Sequence, residues 1–148
     1  MSSMIFTTII TGVFVFVTGH ILVKGVLDPY LSFKKHLGMV SAILLREQSK
    51  IINLTAGSDA VNEIKHASAL LLAESNAVPF YGFFAKLRIL PQHKKVLEAS
   101  RNLNLIASIL EQASNKIPTS SYSTVYNSLN AIGKELGIIV TYNNQNKT

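Results

Sequence analysis

The densest chemistry in the chain is a ten-residue run, Lys86-Leu-Arg88-Ile-Leu-Pro-Gln-His93-Lys94-Lys95, with four fixed cations and no acid. Just before it stand Phe80, Tyr81, Phe83 and Phe84, four aromatics within five residues. Cations beside aromatic faces suit a stacked base with its phosphates. They equally suit an anionic membrane surface that takes up rings. A bundle corner with rings in the core and cations in water needs neither ligand and is the plainer reading. The sequence therefore places an anionic-ligand or lipid-surface site at Lys86, Arg88, His93, Lys94, Lys95, Phe80 and Tyr81. A nucleotide ligand has no further motif behind it.

Other chemistries find fewer residues. The histidines are His20, His36, His66 and His93, and there is no cysteine. Glu63 and His66 have the i, i+3 spacing of half a di-iron motif, but the other half and its extra carboxylates are missing. A solvated surface pair accounts for them. There is no H-E-x-x-H, G-x-S-x-G, G-x-x-x-x-G-K-[ST] or G-x-G-x-x-G. Carboxylates number only eight. The expectation is no metal, no cofactor and no catalytic residue, so a binding protein rather than an enzyme.

The elements that position these residues begin with an apolar run. No residue before Lys24 is charged, and Met4 to Val23 reads MIFTTIITGVFVFVTGHILV. At about 1.5 Å per residue it spans about 30 Å, the thickness of a bilayer's hydrocarbon core. A signal peptide would need a basic start and a small-residue cleavage site. MSSM has no base, and KGVLDPYLSF has no such site. The reading is a single-pass anchor in contact with the lipid bilayer. Lys24, Lys34, Lys35, Arg46 and Lys50 all follow the span, so the positive-inside rule puts the N-terminus outside and the C-terminal domain in the cytoplasm. His20 lies near the cytoplasmic end, where it can snorkel. Thr8, Thr11, Gly12, Thr18 and Gly19 fall on one side of the helical wheel. Small residues let helices approach and Thr hydroxyls can bond across, so this face predicts a homo-oligomer.

The formal charge is +6. Most of the excess lies in the juxtamembrane Lys24, Lys34, Lys35 and His36 and in the run at 86–95. Asp28-Pro29 reads as the end of the span and the start of an amphipathic helix over about 30–53, with Tyr30, Phe33, Leu37, Val40, Leu44 and Ile51 inward. Ser58 or Asp59 caps a central helix carrying Val61, Ile64, Ala67 and Leu71, which Pro79 ends. Pro91 begins a helix to about 115, with Val96, Leu97, Leu103, Ile106, Ile109 and Leu110 inward. A loop around 115–121 precedes a last helix over about 122–136, with Val125, Leu129, Ile132 and Leu136 on one face and Gly137 closing it. Ile138-Ile139-Val140 is a short strand or a packed tail. The fold class is all-α: an N-terminal transmembrane helix followed by a small bundle of about four helices. The divisions are an anchor over 1–27, a cytoplasmic helical domain over 28–142 and a disordered tail over 143–148.

Three stretches carry a resemblance: Asp28-Pro29-Tyr30 through Phe33-Lys34-Lys35-His36-Leu37-Gly38; Val78-Pro79-Phe80-Tyr81-Gly82-Phe83-Phe84; and Pro91 followed by Ala99-Ser-Arg-Asn-Leu-Asn-Leu-Ile-Ala-Ser. Together they resemble a set of small bacterial single-pass membrane proteins with a cytoplasmic helical domain. The resemblance implies a bacterial inner membrane and an anchored layout, and brings no catalytic residues. The functional expectation is a membrane-anchored binding or regulatory module with a protein partner. The alternative is a membrane-perturbing effector of a defence or stress pathway, triggered by a nucleotide or protein signal.

Overall fold

The computed structural model describes residues 2–113 and 120–142. Seven α-helices and no strand lie among the described residues. Helix α1, Ser2–Leu22, is long and apolar enough to cross a membrane, and none of its apolar window is buried against the rest of the chain. The bundle contains α2 (Asp28–Arg46), α3 (Gln48–Ile52), α4 (Ser58–Ala77), α5 (Tyr81–Lys86), α6 (His93–Gln112) and α7 (Ser120–Leu136). An N-terminal apolar helix followed by a helical bundle is what the sequence led us to expect.

The junction between α1 and α2 departs from the expected break at Asp28-Pro29. A π-helical turn over Val23–Leu27 carries α1 straight into α2, and the Asp28 N–H donates to the Val23 carbonyl. Pro29 has no N–H to give the Gly25 carbonyl, and its ring crowds the preceding turn. One widened turn absorbs both faults without ending the helix. Asp28 therefore pairs with Lys24 across one turn (3.1 Å) rather than capping a new helix.

Helices α2, α4, α6 and α7 pack as consecutive neighbours, and α3 reaches back to α7. The spacing of the apolar residues explains why. Phe33, Leu37, Val40 and Leu44 on α2, Val61, Ile64, Ala67 and Leu71 on α4, and Val125, Leu129, Ile132 and Leu136 on α7 are all buried. Each large apolar side chain so buried contributes about 1.5–3 kcal/mol. On α6, Val96, Leu103, Ile106 and Leu110 are buried, but Leu97 is 38% exposed. It stands about 100° around the helix from Val96, which turns it outward.

The central pair α4 and α6 meets through small residues. Ala67, Ser68, Ala99 and Ser100 are all buried, and the Ser68 and Ser100 hydroxyls lie 2.7 Å apart. Each is also within reach of the other's carbonyl, at 3.0 and 3.1 Å.

Several local expectations are corrected. The helix expected over about 30–53 breaks at Glu47 (φ −95°, ψ 8°), whose carboxylate is held by Arg46 at 3.0 Å and Lys50 at 2.9 Å. Ile51 stays in the core beyond the break, and α3 meets α7. Gly57 rather than Ser58 or Asp59 is the N-cap of α4. Gln92 rather than Pro91 leads into α6. Gly137 closes α7 at φ +66°, as expected.

The segment 138–142 is a packed tail. Val140 is fully buried, Ser41 donates to the Ile139 carbonyl, and the Tyr142 N–H reaches Gln48 Oε1 at 3.1 Å. Gly133 permits this approach, since a methyl there would stand 3.0 Å from Val140 Cγ2. Most of the expected loop at 115–121 and the expected tail at 143–148 lie outside the described residues.

Candidate functional site

The aromatic-basic run folds as a corner between α4 and α6. Val78 ends α4 in an extended conformation, as a residue before Pro79 favours. Phe80 then takes a left-handed φ of +55°, and α5 makes little more than one turn. At the far end Arg88 is again left-handed, at φ +58°. Its N–H donates to Ala85 and those of Ile89 and Leu90 to Phe84, so Arg88 occupies the helix-ending position that glycine usually fills. Holding a non-glycine residue there costs on the order of 1 kcal/mol.

The corner divides its aromatics. Phe84 is partly buried against the core, and its ring centroid lies 5.4 Å from that of Tyr30. Phe80 (73% exposed) and Phe83 (62% exposed) face solvent with Leu87. Tyr81 does not serve as the stacking face expected of it. Its ring stands edge-on to Phe33 and His93, at 5.8 and 5.0 Å, and its hydroxyl donates to the Pro91 carbonyl at 2.8 Å. Burial pushes the Tyr81 phenol up to about 12.

The basic residues divide too. His93 is exposed, with its ring edge-on to Tyr81 and its Nε2–H donating to Asn76 Oδ1 at 2.8 Å, so it is engaged by neighbours in its own chain. Lys86 and Lys94 are exposed. Arg88 and Lys95 instead line a groove of about 430 Å³, joined there by Lys34 of α2 and Lys134 of α7. Successive residues on a helix point about 100° apart, so His93, Lys94 and Lys95 cannot share one direction. Lys34 and Lys134, missed as members of this site, lie far from it in sequence. The apolar period of α2 and α7 placed both outside the core, but only the packing shows that they meet.

The expected juxtamembrane belt loses His36. It is buried and donates Nε2–H to the Ala67 carbonyl of α4 at 3.0 Å. Glu63 is engaged by Arg46 and His66 is exposed. Among the described residues no three metal-ligating side chains come together. The hydrogen bonds from Lys50, and then from Arg46, hold the Glu47 carboxyl below its usual range.

Along α1, Thr8 and Thr11 donate their hydroxyls to the Met4 and Thr7 carbonyls of their own helix. A methyl added at Gly12 or Gly19 would meet nothing within 4 Å. The face of Thr8, Thr11, Gly12, Thr18 and Gly19 is thus small and open, with Thr8 and Thr11 already satisfied. His20 stacks over Phe16 at 6.4 Å, about 140° around the helix from the middle of that face.

Compared with known protein families, curated proteins and solved structures, the chain matches none.

Proposed function

We propose that the chain is a single-pass membrane protein whose helical bundle is a non-catalytic binding or regulatory module held at the inner face of a bacterial cytoplasmic membrane. One observation carries the reading: an unburied apolar helix runs without a break into a bundle whose exposed aromatic corner lies beside its first turns. Tyr30, the ring that touches Phe84, stands seven residues past Val23, about 10 Å along the helix. The headgroup layer is about 5–8 Å thick. Phe80, Phe83 and Leu87, with Leu27 and Leu31 on the connecting helix, are exposed. Lys86 flanks them. This is the composition of a surface that docks on anionic lipid.

The orientation rests on the absence of Lys and Arg before Lys24 and their abundance after it. Alkaline phosphatase and a fluorescent protein, each fused after Thr148, test it together with membrane fractionation. A dark phosphatase and a bright fluorescent fusion in the membrane fraction are expected. An active phosphatase with a dark fluorescent fusion overturns the orientation, and a soluble chain overturns the anchor.

The open Gly12/Gly19 face favours a second reading, in which assembled α1 helices perturb the bilayer on a signal received by the bundle. Growth arrest or depolarisation on expression distinguishes that effector from a binding module, which leaves growth unchanged.

A further inference from the structure

The groove between α2, the α5–α6 corner and α7 gathers four cations from distant parts of the chain. Lys34, Arg88, Lys95 and Lys134 line it, and Glu135 is its one acid. Lys95 meets Glu135 loosely at 3.7 Å, and among the described residues Lys34, Arg88 and Lys134 have no acidic partner. Four cations against one acid leave a net positive charge whose members repel one another, and an anion between them offsets that cost. Gln92, the N-cap of the twenty-residue α6, also lines the groove, and no side chain caps that end. The positive end of the helix dipole therefore adds to the cations. Against these stand Glu135 and the carboxyl end of α7. Arg88 borders the groove from the left-handed position that ends α5.

We infer that this groove binds a phosphate-bearing ligand, with Lys34, Arg88, Lys95 and Lys134 as the anion contacts. A volume of about 430 Å³ is room for a phosphate or diphosphate with part of its organic group. The phosphate belongs either to a soluble molecule or to a lipid headgroup. The inference deepens the binding-module reading by naming the ligand class, and it stands whether or not the aromatic corner docks on lipid.

The test uses the full chain in nanodiscs of phosphatidylcholine. Inorganic pyrophosphate is titrated calorimetrically at low salt, and the same chain is then placed in nanodiscs doped with phosphatidylglycerol. The variants are Lys34→Gln/Lys134→Gln, Arg88→Gly and, as a control on the far side of α4, Lys65→Gln. One saturable site for pyrophosphate is expected, weakened by about a hundredfold in the double lysine variant, the loss of two charge-assisted contacts at about tenfold each. Arg88→Gly weakens it by about tenfold while its melting temperature holds or rises, because the backbone strain is relieved. Lys65→Gln binds as wild type. If pyrophosphate does not bind, but phosphatidylglycerol protects Lys34 and Lys134 from amine labelling and Arg88→Gly removes that protection, the phosphate is a headgroup. No saturable binding and no protection overturns the inference, as does an equal loss in Lys65→Gln. Phe80→Ser/Phe83→Ser leaves pyrophosphate binding intact, so failure of lipid docking and failure of the groove give different results.

Discussion

If the aromatic corner rests on the bilayer, Phe80 and Phe83 are its inserted groups, and removing them is felt at the membrane and not in the fold. Phe80 is 73% and Phe83 62% exposed. At about 200 Å² per ring they offer about 270 Å² to a docking surface. Complete transfer at about 25 cal/mol per Å² is worth about 7 kcal/mol. Rings that sink only to the boundary between headgroups and acyl chains bury roughly half of that area, leaving about 3 kcal/mol. The bundle over 28–148 suits the measurement, because the core cluster begins at Phe33 and none of the apolar window of α1 is buried. In flotation with mixed phosphatidylcholine and phosphatidylglycerol vesicles, Phe80→Ser/Phe83→Ser lowers the partition coefficient about a hundredfold. Its unfolding free energy stays within about 0.5 kcal/mol of wild type, as for other surface changes. High salt screens Lys86 and removes its share of binding, on the order of 1 kcal/mol, while the contribution of the rings persists. Vesicle binding unchanged by the double substitution refutes the docking. A large loss of stability refutes the assignment of both rings to the surface.

The remaining expectations concern the phenol, the α4–α6 contact and α1. Burial favours the neutral form of Tyr81, so the folded chain keeps that proton longer than the unfolded chain does. The stability linked to it is complete below about pH 10 and is lost as pH rises towards about 12. Ultraviolet titration shows a late phenolate that Tyr81→Phe removes; a late phenolate surviving in that variant contradicts the assignment. Ser68→Ala and Ser100→Ala each cost about 1 kcal/mol in denaturant unfolding, but the double variant costs less than their sum, because neither hydroxyl is then left without its mate. Strict additivity would mean that the two serines do not act as a pair. Gly12→Leu/Gly19→Leu blocks close approach of two α1 helices and lowers the signal of an in-membrane dimerisation reporter. An unchanged signal removes that face as an interface.

The elements were largely legible because their signals are local. An uncharged run of bilayer length, an apolar period of 3.6, a Pro after α4 and a Gly after α7 each act within a few residues. Where one local signal met another, reading failed. Pro29 was taken as a break, but a widened turn satisfies the backbone around it. Glu47 looked like one more polar residue on a long helix, yet the chain bends there, between two cations that hold its carboxylate.

Charge alone told less about the site. The run at 86–95 was visible as chemistry, but helical phase scatters its members. His93 goes to Tyr81 and Asn76, Lys86 and Lys94 to the surface, and Arg88 and Lys95 to the groove. His36 looked like part of a basic belt, and the contact of α2 with α4 buries it on the Ala67 carbonyl. The sequence by itself determined which helix faces turn away from water, because hydrophobic spacing along a helix decides its buried face. Only the tertiary structure decided which polar faces meet. Lys34 and Lys134 stand about a hundred residues apart and share a groove solely because the packing of the apolar faces brings α2 and α7 to the same corner.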